Sequence, residues 1–151
     1  MWNIDFKEGK KAERILRSIL LSKGISGVTY NDSEEIEQLK KYDLLYYNNN
    51  ASIPVKIEVK ADSRAEQTNN YAIECRYKDN LSGIETTESN YYAILKGNQF
   101  SIIRTNTLKE LIDTNNYHCI EVKHANTFCY LIPCEEIESN SKRITVVKKV
   151  K

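Results

Sequence analysis

Residues 55 to 60 read Val-Lys-Ile-Glu-Val-Lys, a strict alternation of branched apolar and charged side chains. Only a β-strand, whose successive side chains point to opposite faces, sorts such a run into one apolar and one charged face. Val55, Ile57 and Val59 then demand an apolar partner layer, while Lys56, Glu58 and Lys60 line up on the other side. The chain must build a sheet around this segment with at least one face buried.

A partner layer comes first in the chain. Ala12, Ile15, Leu16, Ile19 and Leu20 recur at helical spacing, Asp5 and Glu8 offer a capping-box-like start and Gly24 a stop, which predicts a helix over about 6–22. Ser33 is placed to cap a short helical turn over 34–40. Aromatic and aliphatic runs predict strands at 42–47 and 53–59, a hairpin broken by Asn48-Asn49-Asn50. Further strands are expected at 71–77, 91–96 and 100–104, with turns at Ser82-Gly83 and Gly97-Asn98. A helix at 107–114 and strands at about 117–123, 127–132 and 143–147 complete the reading. The fold class is α/β in the mixed α+β sense, an N-terminal helix followed by a mostly antiparallel mixed sheet flanked by helices.

At 151 residues the chain is expected to form one domain over 1–151, with a basic tail at about 141–151 expected to be flexible. Lys and Arg number 22 against 21 Asp and Glu, so the net charge of +1 gives no strong overall field toward nucleic acid or an anionic membrane. Any such binding has to come from local patches. No apolar run reaches membrane-spanning length and the first residues lack a signal-peptide layout, so a soluble, cytoplasmic protein that is not secreted is expected, with no membrane partner. Cys75, Cys119, Cys129 and Cys134 contain no Cys-x-x-Cys pair and read as reduced core thiols. With His118 and His124 they crowd one region, but their spacing fits no usual zinc pattern.

The chemistry-bearing constellation lies on the charged face of the 53–59 strand. Glu58 and Lys60 share that face, and the hairpin brings Asp43 near them from the neighbouring strand. Two carboxylates beside an ammonium can hold a hard divalent cation, magnesium or manganese, and place a water. Phosphodiester hydrolysis uses these parts, with the cation of Lys60 orienting the nucleophile or stabilising developing charge. Glu13, one helical turn after Gly9 at the flank of the apolar stripe, can lean over the sheet edge and complete the set.

In these segments the chain resembles the PD-(D/E)XK nuclease superfamily, with its restriction-endonuclease-like fold and its Holliday-junction-resolvase-like and small phage-type endonuclease branches. The resemblance spans about residues 5–95 and rests on Gly9-Lys10-Lys11-Ala12-Glu13, Tyr42-Asp43-Leu44-Leu45 and Lys56-Ile57-Glu58-Val59-Lys60-Ala61-Asp62. It departs in carrying Tyr42, not Pro, before Asp43. The resemblance implies a Mg2+- or Mn2+-dependent endodeoxyribonuclease leaving a 5′-phosphate. Asp43, Glu58 and the Val59 carbonyl would hold the metal, Glu13 would be an accessory carboxylate and Lys60 the catalytic cation. Asn70 to Glu74, followed by Ser82 to Thr87 and Tyr91-Tyr92, is similar to phage-type members in which this segment forms the third strand and a turn near the substrate.

Weaker candidates surround this core. Glu74 is a further carboxylate one strand beyond the motif, or else a partner of Arg76. Arg64, Asn69, Asn70, Arg76, Lys78, Thr86 and Thr87 are candidate nucleic-acid contacts or simply solvated loop residues, as are Lys148, Lys149 and Lys151 in the tail. Glu-x-Lys occurs three times. Glu8-Gly9-Lys10 falls on the helix, where residues two apart do not share a face. Glu121-Val122-Lys123 looks like a strand and is the true rival, but no upstream strand brings it an acid. An ordinary cross-face ion pair is the competing account of Glu58 and Lys60. The sequence thus points to a structure-selective DNA endonuclease, with a homodimer suited to branched substrates. A catalytically inactive nucleic-acid-binding or protein-interaction module, or an RNA-processing nuclease, are the alternatives.

Overall fold

The computed structural model describes residues 2–25, 27–31, 42–47 and 53–146. In chain order these form α1 (Trp2–Ser22), β1 (Thr29–Tyr30), β2 (Leu44–Tyr47), β3 (Pro54–Ala61), α2 (Ala65–Thr68), β4 (Asn70–Tyr77), β5 (Asn80–Leu81), β6 (Tyr91–Lys96) and β7 (Gln99–Arg104). Then come α3 (Thr105–Thr114), β8 (His118–Val122), β9 (Thr127–Pro133), α4 (Cys134–Glu138) and β10 (Lys142–Thr145). The mixed α+β class read from the sequence holds. The 34–40 turn, the Asn48 to Asn50 break and the lysines of the tail lie outside the described residues.

The strands divide into two sheets, six in the order β1-β2-β3-β6-β7-β10 and four in the order β5-β4-β9-β8. In the larger sheet β3 is antiparallel to β2 and parallel to β6, with α2, β4 and β5 in the crossover between them. The strand beside the Glu-x-Lys strand is therefore β6, not the 71–77 segment expected there. That segment, β4, is drawn away because Tyr71, Ile73 and Cys75 alternate inward and β9 supplies a long antiparallel partner.

Burial follows the alternation. Ile57 and Val59 of β3 pack with Ala12, Leu16 and Leu20 of α1 and with Leu44, Ala93 and Phe100. On the opposite face, Tyr92, Ile94 and Ile103 meet Tyr71, Ile73 and Ile132 of the smaller sheet, with Leu108 of α3 and Ile137 of α4. The larger sheet is thus a shared middle layer. α1 begins earlier than the capping residues suggest, at Trp2, and ends as read: Gly24 at φ 86° closes the last turn, with Ile25 N–H donating to Leu20 C=O (3.1 Å) and Gly24 N–H to Leu21 C=O (3.1 Å). The short α4 is pinned by Glu138, whose carboxylate accepts from the Tyr71 hydroxyl (2.6 Å) and pairs with Lys96 (2.6 Å) and Arg143 (3.4 Å).

Candidate active site

Asp43 stands just before β2, where its N–H donates to the Ile57 carbonyl (2.8 Å) and its own carbonyl accepts from Asn31 N–H (2.9 Å). Register pairs Leu44 with Ile57, so Asp43 falls beside Glu58. β2 pairing stops there while β3 runs on to Ala61, and the Val59 N–H that would otherwise look for a strand partner donates to Asp43 Oδ2 at 2.8 Å. The Asp43 carboxylate is thereby fixed in a buried position at the point where two strands part.

Glu58 and Lys60, two apart on β3, form an ion pair at 3.2 Å; the Glu58 side chain is 13% exposed and that of Lys60 43%. The ammonium forms the rim and the carboxylate the floor. Glu58 chiefly, with Asp43, Tyr92 and Glu74 adding to it, pushes the Lys60 ammonium above the ordinary lysine range against the opposing effect of burial. Lys60 is a cation throughout the neutral range. Glu74 belongs to the smaller sheet, yet it lies in the field of both Lys60 and Tyr92, so the two sheets meet at this site.

The turn after β5 explains how Glu74 is held. Gly83 sits at φ 54° directly against the Glu74 backbone carbonyl, leaving no room for a Cβ. Ser82 N–H donates to Cys75 C=O (3.1 Å), and Thr87 N–H to Gly83 C=O (2.9 Å). The Thr87 hydroxyl donates to that of Ser89 (2.9 Å), which contacts the Thr105 hydroxyl (3.0 Å). A single turn thus connects Glu74 to the start of β6.

The structure brings together Asp43, Glu58, Lys60, Glu74 and, beside Tyr92, Thr87. Glu13 is buried in α1, paired with Lys10 at 3.8 Å, on the helix packed over the Ile57 and Val59 face rather than the Glu58 face. Arg64, Arg76 and Thr86 are exposed. Arg76 lies over the Phe128 ring (5.7 Å), and the Asn70 amide donates to Thr68 C=O (3.1 Å). Asn69 and Lys78 occupy left-handed turn positions at φ 60° and 54°, a local backbone role. Glu121 is exposed on the edge strand β8, and Lys123 already belongs to the following 3-10 turn, so that pair does not repeat the geometry of Glu58 and Lys60.

Two residues were missed. Tyr92, opposite Glu58 in the parallel register, is 1% exposed, and burial first, then the Glu58 carboxylate, raises its hydroxyl above the ordinary tyrosine range. Lys56, on the Glu58 face, pairs with Glu88 (3.8 Å) and lies over Tyr42 (5.1 Å). The sequence marks Tyr92 as part of an apolar strand, but not the pairing with β3 that gives it meaning.

Among the described residues, no three His, Cys, Asp or Glu side chains converge as a metal-ligand group. A magnesium-type ion needs only one or two carboxylates and keeps several waters, and the hard oxygens of Asp43 and Glu58 suit that requirement. The cysteines are all unbridged; Cys75, Cys129 and Cys134 are buried, but Cys119 is exposed on β8 rather than in the core. A cleft of 220 Å³ is lined by Cys75, Arg76, Leu81, Glu85, Cys119, Phe128 and Tyr130, and Asp43, Glu58 and Lys60 take no part in it. Burial, then neighbouring Cys119, pushes the Cys75 thiol up to about 12, so it stays protonated. Among the described residues, no helix is long and apolar enough to cross a membrane. No family model, curated protein or solved structure matches the chain.

Proposed function

We propose that this protein is a Mg2+- or Mn2+-dependent endonuclease that hydrolyses phosphodiester bonds in DNA. The observation that carries the reading is the Asp43 carboxylate, pinned by the Val59 N–H beside the Glu58–Lys60 pair where β2 and β3 separate. The resemblance of these strands to PD-(D/E)XK nucleases supports it. Asp43 and Glu58, with the Val59 carbonyl, would hold the cation, and the orphaned Tyr92 hydroxyl beside them fits a carboxylate that moves when one binds. A cation there would supply charge neutralisation on the phosphate and a water of lowered pKa.

The chain's own groups do the rest. Asp43 is held by its backbone bond and needs no reorganisation. Lys60, half-exposed and protonated, reaches toward substrate and stabilises the charge that builds on the phosphate. Glu74 adds to the field that keeps Lys60 protonated. With a net charge of +1, we assign selectivity to the shape of branched or otherwise non-standard DNA rather than to a strong general pull on the backbone, and a homodimer suits such two-strand substrates.

The test is incubation of the purified protein with labelled linear, flapped and four-way DNA and with RNA, in Mg2+ or Mn2+ and in chelator. Metal-dependent cutting that falls about 10²- to 10³-fold in Lys60→Ala supports the reading. A mobility shift on DNA without cutting points to a binding module, and cutting of RNA alone to the ribonuclease alternative.

A further inference from the structure

The Tyr92 hydroxyl is shut off from solvent and has no hydrogen-bond partner of regular geometry, although Thr87 stands beside it. Native chains seldom leave a buried donor unmet, so such a group calls for an explanation. Register sets Tyr92 directly across from Glu58 on one face, and the charged groups around its oxygen are Glu58, Lys60 and Glu74. The acceptors among them are the two carboxylates. Oε1 of Glu58 is 3.2 Å from the Lys60 ammonium, so in this arrangement Glu58 leans toward the rim. Sealed beneath that rim, Tyr92 cannot reach a substrate.

We infer that Tyr92 is a positioning residue for the cation site, its O–H donating to the Glu58 carboxylate when a hard divalent cation draws that carboxylate away from Lys60. The inference rests on the metal-dependent reading above. Outer hydrogen-bond donors of this kind fix the orientation of a ligating carboxylate and typically carry a 10- to 100-fold effect on metal affinity. A tyrosine that merely fills the core would owe everything to its ring and nothing to its oxygen.

Tyr92→Phe keeps the ring and removes the oxygen. Mn2+ binding by calorimetry and thermal unfolding with and without Mn2+, both without nucleic acid, compare the full chain with this variant. We expect metal-free Tyr92→Phe to melt at or above the wild-type temperature, because an unmet buried donor has gone. We expect its Mn2+ dissociation constant to rise by about 10- to 100-fold. An unchanged dissociation constant overturns the inference and leaves the metal reading standing. A metal-free variant that melts well below wild type also overturns it, since the hydroxyl is then bonded in the free protein. A wild-type protein that binds no Mn2+, or binds it equally well as Asp43→Asn, defeats the metal reading and this inference with it.

Discussion

Glu138 clamps the two sheets together at the end of β6, and Glu138→Gln tests how much that clamp matters. Tyr71 comes from β4 of the smaller sheet and Lys96 from β6 of the larger, and both reach the same Oε2 at 2.6 Å. The carboxylate is 18% exposed and Lys96 20%, so this is not a surface pair worth next to nothing. Arg143 at 3.4 Å is 32% exposed and adds little. Glutamine keeps an acceptor but loses the charge. The Tyr71 contact falls from a charge-assisted one of roughly 1.5–3 kcal/mol to a neutral one of roughly 0.5–1.5, and the half-buried Lys96 ammonium loses its counter-charge at a cost of similar size, about 2–3 kcal/mol in all. For a chain of this size that lowers Tm by about 5–10 °C. The pH dependence fixes the sign. Burial alone would raise the Glu138 carboxyl, but Lys96, Tyr71 and Arg143 outweigh it and hold it below its ordinary value of 4.5. A lowered folded pKa stabilises the protein above the unfolded pKa, and that contribution disappears as pH falls through the folded value. Urea unfolding of both proteins between pH 7 and pH 3 should therefore show a gap at neutrality that narrows below about pH 4.5. A gap under about 0.5 kcal/mol at pH 7, or one that persists unchanged in acid, refutes the argument.

Other perturbations have equally definite outcomes. Gly83→Ala meets the Glu74 carbonyl and a left-handed φ, which alone costs about 1–2 kcal/mol; chemical denaturation should show a larger total loss, and Mn2+ affinity should drop because Glu74 is pushed aside. Phe100→Ala empties a fully buried site between α1 and the larger sheet and should cost about 3–5 kcal/mol in urea unfolding. In the DNA-cleavage assay Glu58→Gln should abolish cutting while Glu121→Gln, on an exposed edge strand, leaves it at the wild-type rate; the reverse pattern would move the site to β8.

Local chemistry was legible wherever a period or a turn residue set the structure. The α1 stripe, the β3 alternation, the Gly97-Asn98 turn and the α1 stop at Gly24 all appear as read. What a single sequence could not show was which strand lies beside which. The 71–77 run alternates while 91–96 is almost continuously apolar, and either could pair with β3 on pattern alone. Only β4's competing partnership with β9, its residues pairing from Tyr77 with Thr127 to Asn70 with Pro133 far along the chain, removes it to the second sheet. The short elements β1, β5, α2 and α4 were also unread, because two to five residues carry too little periodicity to stand out.

The same limit decided what could be known of the site. Asp43, Glu58 and Lys60 are joined by a hairpin and by spacing within one strand, and sequence reached all three. Glu74 could be listed but not placed, since its approach to Lys60 depends on the second sheet folding back over β3 and β6. Tyr92 could not be singled out, because its meaning comes wholly from a parallel register with Glu58. That arrangement has an energetic consequence. Asp43, Glu58 and Glu74 all act on the Lys60 ammonium, and carboxylates gathered around one site repel one another, a cost to folding that a bound divalent cation relieves. The metal-free protein should therefore gain stability from Asp43→Asn, with the carboxamide oxygen still accepting from Val59 N–H, while losing the added stability that Mn2+ confers. Melting curves with and without Mn2+ read both changes, and a variant less stable than wild type in the absence of metal would show that the acids are held for the fold rather than for a cation.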